Sequence, residues 1–335
     1  RMNSFAGHWQ NGNYSAAAES TGGSAQGMTA DRLAGLELFD LLHFAEATRL
    51  SGNDRLAIDA YDHTEEAFRR FDEETLAGTA ARQVSAVLVN ETVTRYRGFL
   101  YEAVLANTYK GLSFLALAEP DMARVEFRRA DDRTRRAVEY FADSLAAEQQ
   151  ALAQDQRGRA QAQAVNASLA SNSTRQVIGA QYGDPRQWAA YPNFTNPFVT
   201  YLHGLFFMAS AQAPGDLDRA RQSLSRVAGM TRNPVVTADL ELVDQLSRGG
   251  TKRRSVSNLV WVVYENGLSP HFIEQRIDLP LAVLTGGRTG TPYYAGIALP
   301  KLVGGRPAGD GLTVSGAAGS QTRTLPLSEM QRVMN

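Results

Sequence analysis

At 335 residues, 43% of them apolar, the chain is long enough for two or three domains and a substantial core. Its 34 basic side chains stand against 35 acidic ones, and a net charge of -1 removes any global electrostatic case for nucleic acid or an anionic membrane as the main partner. Cysteine is absent, which excludes disulfides and thiolate chemistry and confines any metal site to histidines and carboxylates. No apolar run reaches the ~18 residues that a membrane-spanning helix needs.

Residues 1–30 are rich in Ser, Gly and Ala, with Phe5, Trp9 and Tyr14 interspersed, and read as a flexible lead-in with a short helix or turn at His8–Tyr14. The chain starts at Arg1 rather than Met, which suggests a leader or further segment before it. From Asp31 a helical period takes over. Leu33, Leu36, Leu41, Leu42, Phe44 and Ala45 form one apolar stripe, Ser51-Gly52-Asn53-Asp54 ends it, and a second stripe carries Leu56, Ala57, Tyr61, Ala67, Phe68 and Phe71. Thr79 to about Tyr96 is a third helical stretch, with Val84, Val87 and Leu88 on one side.

The centre of the pattern is Asn107 to Ala130, two helices broken at Glu119-Pro120-Asp121. Gly111 and Phe114 lie on the first, Ala123, Phe127 and Ala130 on the second, and this spacing resembles the tetratricopeptide (TPR) repeat. Small residues let two backbones approach while the aromatics fill the space beside the contact. Gly204, Phe207, Ala220 and Leu224 repeat the arrangement with an insert of four residues, and Ala57 and Tyr61 match Ala123 and Phe127. A single hairpin of this kind cannot bury its own apolar face and needs neighbours.

Between these hairpins, residues 131–175 are rich in Ala, Gln and Arg with little to bury. They predict a helix to about residue 155 that either projects onward as one long helix or gives way to disorder around Gly158 and Ser171-Asn172-Ser173. Asn196-Pro197 opens a new helix, since Pro suits a first turn, and Pro234 to about Ser247 is the last one. The helical part is thus predicted over 31–248, followed by a linker at 249–254 containing Lys252-Arg253-Arg254. Beyond it the period changes to two. Val256 to Glu265 is apolar on both faces, as a central strand is. Phe272–Leu279, Tyr293–Leu299, Leu312–Ser315 and Gln321–Leu327 are further strand candidates in a predicted small β domain over 255–327. Ser328-Glu329-Met330-Gln331 resembles a capping box that starts a helix over 328–335. The expected fold is mainly α: a TPR-like α-solenoid of helical hairpins followed by a small antiparallel β domain.

Four segments carry a wider resemblance: Asn196-Pro197-Phe198-Val199-Thr200-Tyr201-Leu202-His203-Gly204-Leu205, Val262-Val263-Tyr264-Glu265-Asn266-Gly267-Leu268-Ser269-Pro270, Ile277-Asp278-Leu279-Pro280-Leu281, and Tyr294-Ala295-Gly296-Ile297-Ala298-Leu299-Pro300-Lys301-Leu302. In these the chain resembles a family of Gram-negative bacterial cell-envelope lipoproteins with TPR-like helices, sometimes encoded near a penicillin-binding-protein activator lipoprotein. The resemblance implies a periplasmic, outer-membrane-associated protein, held to the membrane only through a lipid anchor upstream of Arg1. It supplies no catalytic residues, and this sequence contains no cysteine to carry the lipid.

Sharper chemistry is weighed against this reading. Asp40 with His43 and Asp59 with His63 sit at helical spacing, but a dimetal bundle site wants Glu-x-x-His twice, and that motif is absent. There is no Gly-x-Ser-x-Gly elbow. Gly286-Gly287-Arg288-Thr289-Gly290 lacks a helix start behind it to aim amides at a phosphate. Trp188, Tyr191 and Phe194 are the candidate contacts for a glycan or a protein partner. The sequence therefore predicts no enzyme, no cofactor and no metal, but a scaffold or adaptor. Its partners are other envelope proteins or copies of itself in a ring, around a secretion or motility machine. The alternative is a regulator of peptidoglycan synthesis or a glycan-binding module.

Overall fold

The computed structural model describes residues 2–77, 96, 98–136, 196–248, 256, 259–265, 267–268, 271–281 and 293–303. They form α1 (Met2–Gln10), α2 (Tyr14–Gly22), a 3-10 turn at Ala25–Gly27, α3 (Ala30–Ala34), α4 (Leu38–Leu50), α5 (Asp54–Ala77) and α6 (Leu100–Ala116). Next come α7 (120–136), α8 (Pro197–Ala209), α9 (Pro214–Thr231) and α10 (Pro234–Ser247), then β1 (His271–Leu281) and β2 (Tyr293–Val303).

Short connections make sequential helices antiparallel neighbours: α1 with α2, α4 with α5, α8 with α9, and α9 with α10. The pairs then pack on one another, α2 against α4, α5 against α6, and α6 against α8. The amphipathic helices explain this order. On α5, Ala57, Tyr61, Thr64 and Phe68 recur at steps of three and four and are all buried, so that helix has one inward stripe. Helix α8 is different. Every residue from Pro197 to Met208 is buried, so it lies in the middle of the stack rather than on it. Its start is set as predicted: Pro197 is the first helical residue, and the Asn196 side chain accepts from the backbone N–H groups of Phe198 and Val199 at 2.9 and 3.4 Å. Asn233 and Pro234 start α10 in the same way.

Two expectations are corrected. The segment 1–30 is not an unstructured lead-in. It folds as α1, α2 and α3, and Phe5, Ala17, Ala18 and Leu33 share a core with Leu41, Phe44, Ala57 and Tyr61. Its low hydrophobicity is misleading, because two alanines on one helix face let α2 lie close to α4 and bury backbone rather than large side chains. The second correction is at the other end. Val256–Glu265 is no central strand: residues 259–265 carry no regular structure, and Val260 is 86% exposed. Strands β1 and β2 pair antiparallel from His271 opposite Val303 to Leu281 opposite Tyr293. Among the described residues they are the whole of the sheet and do not make up the β domain expected over 255–327. Pro280 stands in β1 and Pro300 in β2, and a proline lacks the N–H that a central strand must donate, so each strand has the character of an edge.

The stretch 79–95, residues 137–175 of the long Ala-rich segment, the linker 249–254, the strand candidates 312–315 and 321–327, and the start of a helix at 328–335 lie outside the described residues.

Candidate functional site

Two hairpins set a glycine directly against a large side chain, where the sequence pattern predicts Gly111 opposite Ala123 with the aromatics beside them. A Cβ on Gly111 would stand 3.3 Å from the ring of Phe127, and one on Gly204 would stand 2.8 Å from Leu224 Cγ. Phe114, Ala123, Phe127 and Ala130 are buried together with Phe207, Ala220 and Leu224 in one cluster that spans α6 to α10. A third hairpin obeys the same rule more fully than its sequence suggests. Ala45, Ala57, Tyr61 and Thr64 stand at the same spacing as Gly111, Ala123, Phe127 and Ala130, and all four are buried.

The turns of these two hairpins match bond for bond. The N–H of Ser51, Gly52 and Asn53 donates to the carbonyl of Ala47, Arg49 and Thr48; the N–H of Leu117, Ala118 and Glu119 donates to that of Ser113, Leu115 and Phe114. Gly52 and Ala118 both take positive φ, +83° and 58°. The conformation suits glycine and strains alanine, so Ala118 is held there by the hairpin around it. The repeat is therefore a property of the backbone and not only of residue types.

At the junction of α5, α6 and α7 lies a buried polar network. Lys110 Nζ is 2.9 Å from Glu126 Oε1 and 2.6 Å from Asp62 Oδ1, and the Lys110 and Glu126 side chains are 4% and 2% exposed. The second oxygen of Glu126 accepts from Asn107 Nδ2 at 2.7 Å, and Arg129 reaches both Glu126 and Glu65. Burial by itself would lower the Lys110 ammonium, but the attraction of Glu126 and the Asp62 hydrogen bond outweigh it and hold it above its usual value. At the next junction Arg124 of α7 spans to Asp216 Oδ2 at 2.9 Å and to the Ser210 carbonyl at 2.6 Å, lying over the rings of Phe206 and Phe207. His203 is buried with its Nδ1 2.9 Å from Ser223 Oγ. Burial pulls it down to about 4, with Asp131 opposing that and Arg219, Arg226 and Arg135 adding to it.

A second face belongs to the first helices of successive hairpins. α4, α6, α8 and α10 touch in that order. Along it stand Arg49, Tyr109, Phe198, Tyr201 and Asp239. The Arg49 guanidinium lies 4.6 Å from the Tyr109 ring centre, Tyr109 and Phe198 are 6.3 Å apart, and Tyr201 Oη donates to Asp239 Oδ2 at 2.6 Å. Residues 259–265 lie on this face. Trp261 Nε1 donates to Asp239 Oδ1 at 3.3 Å, and Glu265 Oε2 accepts from Arg49 Nη2 at 2.5 Å. Burial raises Asp239 and Glu265 above the usual carboxylate range, and it raises Tyr109 and Tyr201 as well.

Lys110, Glu126, Arg124, Arg49 and Asp239 were not singled out from sequence, although for the first two a signal existed. Lys110 immediately precedes Gly111 and Glu126 immediately precedes Phe127, so the repeat register already places them side by side. Arg49 and Asp239 had no such signal, because their partners come from across the fold. Of the weighed candidates, Asp59 and His63 line a surface depression with Met28, Leu56 and Asp62. Among the described residues no three His, Asp or Glu side chains are arranged to hold a metal ion, and no helix is long and apolar enough to cross a membrane. Trp188, Tyr191 and Phe194 lie outside the described residues. No family model, curated protein or solved structure matches the chain.

Proposed function

We propose that the protein is a non-catalytic scaffold: a TPR-like solenoid that serves as a subunit or adaptor in a large periplasmic assembly at the outer membrane of a Gram-negative bacterium. A secretion or motility machine is the assembly favoured. Membrane attachment in this reading comes from a lipid anchor upstream of Arg1. The observation that carries it is the continuous face made by α4, α6, α8 and α10, since same-position helices of stacked hairpins present an extended surface to a partner chain. The polar clusters support it too. Lys110 pairs with Glu126 inside one hairpin and with Asp62 of the preceding one, and Arg124 pairs with Asp216 of the following one, which is how charges serve a framework.

The test is fractionation of native envelope extract, with mild cross-linking, followed by sizing of the protein's complexes. The expected result is a species far larger than the 36.5 kDa chain, containing a second protein in fixed ratio. A chain that runs alone under these conditions overturns the scaffold reading. The intact mass of the native N-terminus tests the anchor separately, and an unacylated terminus removes it.

A further inference from the structure

The segment on the first-helix face is held in an unusual way for a piece of core. Leu259, Val260, Val262 and Val263 are exposed, and among the described residues the segment is held by two side chains: Trp261, which packs against the core cluster and donates its indole N–H to Asp239, and Glu265, whose carboxylate meets Arg49. Both receiving groups are prepared independently of the segment. Glu46 holds the Arg49 fork through two bonds, from Nε at 2.9 Å and Nη2 at 2.7 Å, and Tyr61 Oη holds Glu46 in turn at 2.5 Å. Tyr201 fixes Asp239 from behind, leaving its other oxygen facing the segment. A guanidinium already oriented and a carboxylate that accepts one more donor form a two-point receptor, with Tyr109 between them.

We propose that this face is a binding groove for an extended segment of a partner protein, one that offers an indole or phenol donor and, four residues further on, a carboxylate, and that the chain's own Leu259–Glu265 occupies it until displaced. The proposal rests on the scaffold reading and names the chemistry its partner would carry. The seated segment supplies the argument for the occupant: it has no regular structure over 259–265, its Trp261 and Glu265 reach the two receiving groups, and a negative end meets Arg49 while a neutral donor meets Asp239. It is also replaceable. Residues 259–265 form neither helix nor strand against this face, four of their large apolar side chains stay exposed, and the guanidinium that receives Glu265 is already paired with Glu46. A tethered segment nonetheless competes strongly, since tethering keeps its local concentration near the millimolar range.

The probe is a fluorescein-labelled synthetic peptide of residues Val256–Leu268, followed by anisotropy on the full chain. The chain carrying Trp261→Ala and Glu265→Ala is expected to bind it at least ~10-fold more tightly than wild type, from the removal of the tethered competitor. Replacing the peptide's own Trp and Glu by Ala, or Arg49→Met in the chain, is expected to abolish binding. Equal affinity for wild type and the double variant, or binding that ignores the peptide's Trp and Glu, overturns the proposal. Should the double variant misfold, Glu265→Gln takes its place, and faster amide exchange at 259–265 in wild type under excess peptide is the expected sign; unchanged exchange overturns. A wild-type dimer that Glu265→Gln dissociates assigns the groove to a second copy and likewise overturns it. Peptide exchange without any large envelope complex removes only the scaffold reading. A large complex that survives Arg49→Met, with no peptide exchange, removes only the groove.

Discussion

The hairpins α4–α5, α6–α7 and α8–α9 carry different chemistry at one equivalent position. The two residues just before the close interhelical contact are Phe44 and Ala60 in the first, Lys110 and Glu126 in the second, and His203 and Ser223 in the third. All six are buried. The apolar pair needs only volume, the ion pair needs both members, and the imidazole needs to remain neutral. The backbone geometry thus tolerates any chemistry at this point, provided that each hairpin completes its own. It also tolerates loop length, since the third hairpin reaches the same contact with four more residues between Gly204 and Leu224.

The sharpest way to break this comparison is to leave the ion pair half made. Glu126→Ala leaves the buried Lys110 ammonium with Asp62 and the more distant Glu65 alone, takes the acceptor from the Asn107 amide, and is expected to cost about 1.5–3 kcal/mol in urea unfolding. Replacing Lys110, Glu126 and Asn107 together by Leu, which leaves no buried polar member, is expected to be far less costly. A loss below about 1 kcal/mol for Glu126→Ala contradicts the account.

The third hairpin predicts a pH dependence instead. His203 binds its proton near 6.5 when unfolded but only near 4 when folded, so between those values the unfolded chain holds more protons. Stability is therefore complete above about pH 6.5 and falls as pH drops toward 4, by up to roughly 3 kcal/mol. His203→Gln should flatten that slope in unfolding curves taken across the interval. An unchanged slope assigns it to other groups.

Close approach discriminates next. A methyl group at Gly204 would meet Leu224 Cγ at 2.8 Å with the Ala220 carbonyl oxygen behind it at 3.4 Å, so Gly204→Ala is expected to cost about 1–3 kcal/mol. At Gly111 the neighbour is the Phe127 ring at 3.3 Å, which yields by small shifts, and the helix gains from losing a glycine. Gly111→Ala should stay within about 1 kcal/mol of wild type. Thermal midpoints in the opposite order would reverse this reading of the two contacts.

The smallest effect is at the matched turns. Gly52→Ala is expected to lose about 1 kcal/mol by forcing a side chain into positive φ. Ala118→Gly relieves that strain but frees the unfolded backbone, for a net gain between zero and about 0.5 kcal/mol. A stabilising Gly52→Ala would show that the two turns differ in more than their residues.

Much of the helical body was legible because its signals are local. Asn196-Pro197 marks a helix start by fixed φ, and Gly111 with Ala123 marks by size alone that two helices come close, although the side chain that meets Gly111 is Phe127. Residues 1–30 misled because alanine reports neither a core nor a loop until its neighbour is known. Val256–Glu265 misled in the other direction. An apolar run was read as a buried strand, although among its described residues only Trp261 packs against a hydrophobic cluster. The prolines Pro280 and Pro300 could have warned against a broad sheet, since each removes a donor.

By itself, then, the sequence determined where helices begin and end, which faces are apolar, and which small residues let backbones meet, because those follow from steric and periodic rules within one segment. Tertiary structure alone decided that Lys110 would find Glu126 and Asp62, that Asp239 would gather Tyr201 and Trp261, and that Arg49 would meet Glu265. Those meetings depend on distances between segments far apart in the chain, and the strength of a charge or a hydrogen bond is set by how much water the surrounding helices exclude.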